Sequence, residues 1–125
     1  MISNTQKGVT LMQNAYDLAH QLARTIRKSN VYQEWKEAYQ EVEDNPKYKE
    51  MISTFRKTQV EMQQLLLEGK QPSEEQQEQM KKLSMAIQGV PAIIKCLQAE
   101  ERFGILMNDL QKIIYEPAKE LFDTR

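Results

Sequence analysis

Eight residues punctuate this chain. Its glycines and prolines are Gly8, Pro46, Gly69, Pro72, Gly89, Pro91, Gly104 and Pro117, about half the usual share for a globular protein. These two residue types most readily end helices and open turns, so their scarcity leaves long stretches free to stay regular. The stretches between them are rich in Glu, Lys, Gln, Leu and Met, all good helix formers. No window alternates apolar and polar residues with β-branched side chains, as a half-buried strand would. The expected fold class is all-α.

The punctuation also sets the segments. Asn45 before Pro46 reads as an N-cap with proline at the first helical position. Tyr48, Met51, Ile52, Phe55, Met62, Leu65 and Leu66 then recur at spacings of three and four, with one polar turn at Gln59. Gly69 suits the position just past a helix end, and Pro72 stops the helix from resuming. Ser73 with Gln76 has the spacing of a capping box and opens a helix through Met80, Leu83 and Ile87. Gly89 and Pro91 break the chain again. A last long segment runs from Ala92 to about Tyr115, where Pro117 closes or kinks it.

Two further segments precede these. One spans about Thr10 to Lys28 and aligns Leu11, Ala15, Leu18, Leu22 and Ile26. The other starts near Asn30, with Gln33 placed to complete a capping box, and aligns Val31, Trp35, Ala38 and Val42. The chain reads as a single helical domain over 1–125, with residues 1–8 as a flexible N-terminus. It is a long hairpin or bundle of four to five segments. Pro46–Glu68 would span roughly 34 Å and Ala92–Tyr115 roughly 36 Å. A thin hairpin of that length buries little, which favours self-association.

The last segment supports that expectation. At 100° per residue, Cys96, Ala99, Phe103, Leu106, Met107, Leu110, Ile113 and Ile114 make one apolar stripe. Ile93, Ile94, Leu97 and Ile105 form a smaller patch on another side. One face can cover the core, and the other is free for a partner. Gly104 stands inside the segment, where glycine costs about 1 kcal/mol relative to alanine; a close helix approach would explain it. Ile93, Ile94, Leu97, Gly104 and Ile105 are therefore the expected oligomer or partner interface.

The residues carry little catalytic promise. The net charge is −1, from 17 basic and 18 acidic residues, which argues against a dedicated nucleic-acid or membrane-surface binder. The uncharged run Leu83–Ile94 is too short to cross a bilayer, and no signal peptide is evident, so the expected compartment is the cytoplasm. His20, the one histidine, pairs with Asp17 at half a bundle metal motif, whereas such sites need two motifs and further carboxylates. Cys96 is the one cysteine. It lies on the main stripe and reads as a buried thiol, and no flanking signature couples it to His20. No phosphate-binding glycine loop is present. No catalytic residue, metal or cofactor is expected. Arg24, Arg27 and Lys28, at a helix end that favours cations, form a small patch for an acidic partner or RNA, with Lys81 and Lys82 as further cations. Trp35, Tyr32 and Tyr39 suit packing between the second segment and its neighbours.

Several runs resemble the bacterial YlbF/YmcA-like helical proteins: Tyr16-Asp17-Leu18-Ala19, Ser29-Asn30-Val31-Tyr32, Glu37-Ala38-Tyr39, Phe55-Arg56-Lys57-Thr58-Gln59 and the Gly69-to-Pro72 turn. Ala99-Glu100-Glu101-Arg102 and Lys112-Ile113-Ile114-Tyr115-Glu116-Pro117 resemble the YheA branch of that family. The resemblance covers about Tyr16 to Phe122. It implies an all-α hairpin or bundle that associates as dimers or higher oligomers in the cytoplasm of Gram-positive bacteria. It further implies a non-enzymatic regulator acting as a subunit of an adaptor complex tied to RNA processing. Some members of such complexes carry iron–sulfur clusters; with Cys96 alone, a cluster here would need cysteines from partners. The function expected on this basis is a helical adaptor working through protein contacts and homo-oligomerisation. The alternative is an RNA-processing-associated factor using the Arg24, Arg27 and Lys28 patch.

Overall fold

A computed structural model describes the backbone of residues 4–123 and the side chains of residues 14–123. Its elements are five helices: α1 (Asn4–Lys28), α2 (Asn30–Glu43), α3 (Pro46–Leu67), α4 (Glu74–Gln88) and α5 (Pro91–Asp123). No strand occurs among the described residues, so the all-α expectation holds.

Local chemistry explains most of the boundaries. The Asn45 side chain accepts from the backbone N–H groups of Lys47 and Tyr48 at 3.1 and 3.2 Å, with Pro46 opening α3. Past the end of α3, Gly69 takes φ +72°, a left-handed conformation that costs glycine nothing. The Gly69 and Lys70 N–H groups donate back to the carbonyls of Leu66 and Leu65, which completes a Schellman motif. Ser73 and Gln76 close the expected capping box, at 3.1 and 2.9 Å. Glu74 and Glu75 sit in the first turn of α4, where negative charge suits the helix dipole.

Three boundaries differ from expectation. The cap of α2 is Ser29 rather than Asn30: its hydroxyl accepts from the Tyr32 N–H and donates to the Ile26 carbonyl. Gln33 closes no box but donates to the Arg27 carbonyl at 2.6 Å, which ties the last turn of α1 to α2. Helix α1 begins at Asn4, ahead of the expected start near Thr10; residues 1–3 and the Leu11 side chain lie outside the described residues. Helix α5 continues past Pro117 to Asp123. Proline deprives the Ile113 carbonyl of its N–H partner, and this stretch is exposed, with Ile113 itself 57% accessible, so water can take the vacated bond. Three of the eight punctuating residues, Gly8, Gly104 and Pro117, thus lie inside helices.

The core is small. Ala38 and Val42 of α2, Ile52 of α3, Ile87 of α4, and Ile93, Cys96 and Ala99 of α5 are buried. Trp35, Tyr48, Met51, Phe55, Leu83, Val90, Ile94 and Leu97 pack around them. Val42 shares the cluster with Ile93, whereas Tyr32 meets Phe103, so α2 runs antiparallel to the first half of α5. The α3–α4 hairpin packs on α2 and α5, and α1 packs on α2. Helix α5 is roughly 50 Å long and outreaches the 14-residue α2 that covers its first half.

Candidate interaction surface

The division of labour on α5 is not the one expected from its helical wheel. Ile93 is fully buried, and Ile94 and Leu97 pack half-buried against the core. These three serve the chain's own interior, because α2 and the α3–α4 hairpin approach this half of the helix from different sides and use both apolar patches. Ile105, 57% accessible, is the member of the expected interface whose large side chain stays open. Gly104 is exposed, and among the described residues a Cβ on it would meet nothing within 4 Å, so no described helix approaches it closely.

The uncovered apolar surface instead lies farther along the main stripe. Leu106, Met107 and Leu110 are half-buried, while Ile113, Ile114 and Tyr115 are exposed. Tyr16 and Leu18 of α1 are exposed as well, as are Val60, Leu66 and Leu67 near the tip of the α3–α4 hairpin. The chain as a whole exposes 10379 Å². A compact monomer of 14.7 kDa exposes about 6,900 Å², leaving an excess of roughly 3,400 Å².

Beside the core lies an open groove of about 690 Å³, whose lining includes Trp35, Phe55, Arg56, Phe103, Gly104 and Met107. The Trp35 indole stacks on Phe103, and Tyr32 meets Trp35 edge-on at 6.5 Å. Thus Tyr32 and Trp35 do pack against the neighbouring helix, while Tyr39 is exposed. Arg56 of α3 pairs with Glu100 of α5 at 2.5 Å across this groove. The Trp35 Nε1 and Arg56 Nε atoms are buried without hydrogen-bond partners among the described residues. The 44-residue separation of Arg56 and Glu100 is why no sequence motif announced their pairing.

The candidate chemical residues stay apart. Cys96 is fully buried, and burial pushes its thiol pKa up, with the nearby Arg56 charge opposing and Glu100 adding to the rise. His20 and Asp17 lie on an exposed face of α1. Among the described residues, no three of His, Cys, Asp and Glu gather where a metal ion could be held. Arg24, Arg27 and Lys28 are exposed along the end of α1 and Lys81 and Lys82 on α4; none of the five makes an ion pair among the described residues. No described helix is long and apolar enough to cross a membrane.

Comparison with known proteins agrees with this architecture. The family described as control of competence regulator ComK, YlbF/YmcA, matches residues 15–118. A UPF0342 protein of Alkalihalophilus pseudofirmus is 33% identical over 111 residues, covering 89% of this chain and 94% of its own length. Another from Halothermothrix orenii is 37% identical over 100 residues, covering 80% and 85%. Among solved structures, a protein of unknown function (DUF964) from Bacillus stearothermophilus superposes with a TM-score of 0.69 at 25% identity, covering 86% of this chain and 94% of that one. The yheA protein from Bacillus subtilis gives 0.61 at 28% identity, covering 85% and 96%.

Proposed function

The chain belongs to the YlbF/YmcA family, and from that premise we propose that it is a non-enzymatic helical adaptor of the cytoplasm, acting through protein contacts as a homo-oligomer. The observation that carries this reading is the exposed area: 10379 Å², against about 6,900 Å² for a compact chain of this mass. Obligate homodimers bury about 2,000–5,000 Å² in total, well within what two such chains have to spare. The exposed isoleucines and tyrosines of α5 and α1 are the kind of surface that partners cover. Against a catalytic role stands the state of Cys96, whose buried thiol is held in the unreactive protonated form.

Size exclusion coupled to light scattering tests the reading directly. The expected result is a dimer or larger species at tens of micromolar. A strict monomer at that concentration overturns the homo-oligomer.

A further inference from the structure

Near Phe103 the apolar face of α5 loses its cover. Ile93, Cys96 and Ala99 are buried before that point, and Phe103 meets Trp35 and Tyr32. Helix α2 starts at Asn30, only two residues ahead of Tyr32, so its cover stops here. The face goes on. Phe103, Leu106, Leu110 and Ile113 alternate at spacings of three and four, the pattern of a helix seam. Met107, Ile114 and Leu121 recur every seven residues along one edge of that seam. Ile113, Ile114 and Leu121 are each more than half accessible to solvent.

The other edge is acidic. At 100° per residue, Asp109, Glu116 and Glu120 stand about 60–100° from the middle of the seam, all on the side away from Ile114. All three are exposed, and none has an ion-pair partner among the described residues. The two lysines of this stretch, Lys112 and Lys119, lie about 140–160° round, on the back of the helix. Arg102, on the acidic edge but before Phe103, is already turned to Glu34 of α2, at 4.0 Å. The uncovered face is thus apolar, with carboxylates along one side only. Such a face complements itself poorly. In an antiparallel helix pair like edges meet, which sets acid against acid. In a parallel pair the acidic edge meets the opposite one, here Met107, Ile114 and Leu121, where carboxylates would be desolvated without a cation.

We propose that the second half of α5 is the docking face for an amphipathic helix of a different protein, one that carries lysine or arginine along the edge meeting Asp109, Glu116 and Glu120. From Leu106 to Leu121 the seam is roughly 22 Å long, so it takes a partner helix of about four turns. Apolar side chains of the partner cover Leu106, Leu110, Ile113 and Ile114, and its cations pair with the free carboxylates. The apolar contact supplies affinity, and the one-sided charge selects the partner. The proposal gives the adaptor reading above, on which it rests, a face and a class of partner; the homo-oligomer then uses other surfaces.

Two synthetic helical peptides test this on the full chain. Both carry leucine at the seam positions; one has lysine at both flanking positions, so that either chain direction presents cations, and the other has glutamate there. Fluorescence anisotropy should show the lysine peptide binding roughly tenfold or more tighter than the glutamate peptide. The double variant Asp109→Lys with Glu116→Lys should invert that preference. Glu50→Lys with Glu78→Lys changes the net charge equally but on exposed positions of α3 and α4, and should leave the preference as it is. Circular dichroism checks that both variants stay folded. Equal binding of the two peptides, binding of neither, or inversion by the α3–α4 variant as well overturns the proposal. So does a change in the chain's own association in the Asp109→Lys with Glu116→Lys variant, read by sedimentation equilibrium, since a second copy would then occupy the face. Failure of the peptides leaves the homo-oligomer standing, because light scattering on the wild type reads that separately.

Discussion

The indole of Trp35 lies stacked on the ring of Phe103, centroids 4.7 Å apart and planes 28° from parallel. This contact joins α2 to α5 at the last level where α2 covers the longer helix. On one side of it α5 belongs to the core; on the other its apolar face is largely open. Stacked aromatic pairs contribute about 0.5–1.5 kcal/mol beyond their buried area. Trp35→Ala should therefore destabilise the fold by about 3 kcal/mol, measured by chemical denaturation. Trp35→Phe should cost much less. It keeps a ring on Phe103 and removes an indole N–H that has no partner to lose.

Gly104→Ala should raise stability by about 1 kcal/mol, the ordinary gain of alanine over glycine inside a helix. The added methyl meets nothing within 4 Å. A drop in thermal midpoint or in association would reveal a helix packed against that point.

Pro117→Ala should stiffen the end of α5. The substitution restores an N–H to the Ile113 carbonyl and removes the ring clash, interior effects that cost about 3 kcal/mol. Amide exchange over residues 113–121 should slow, with little change around Cys96.

Cys96 should resist alkylation in the folded chain, since it is fully buried and its thiol stays protonated. The same burial has a pH signature. The folded thiol has the raised pKa, so on raising the pH the unfolded chain loses its proton first. The contribution to stability is complete below the ordinary thiol range and is lost as pH climbs through the folded pKa. Cys96→Ala should flatten that alkaline decline, as seen by thermal melts at increasing pH.

Ile93→Asp should abolish folding rather than disturb a partner contact. Its side chain is fully buried, and an unpaired charge there has no compensation. Circular dichroism would show a loss of helix; a folded Ile93→Asp chain would contradict the placement of the core.

Much of the fold is legible without coordinates because helix ends are local events. Asn45 with Pro46, Gly69 with Pro72, and Ser73 with Gln76 each act on backbone groups within a few residues. Where a neighbour competes for the same atoms, local reasoning slips: Ser29 takes the cap of α2, while Gln33 reaches back to Arg27. Pro117 illustrates the opposite limit. It interrupts the hydrogen-bond ladder, yet α5 goes on because that stretch faces water.

The sequence by itself determined that the chain is helical, where α3 and α4 begin and where α3 ends, because capping and periodicity depend on residues three and four apart. It also determined that α5 carries more apolar surface than one hairpin can cover. Only the tertiary structure decided which part of that surface is spent. Ile93, Ile94 and Leu97 went to the core because α2 and the α3–α4 hairpin close on the first half of α5 from different sides. The stripe around Ile113 and Ile114 stayed open because α2 is too short to reach it. Helix length and crossing geometry set that outcome, and neither is written in the spacing of residues along a single helix.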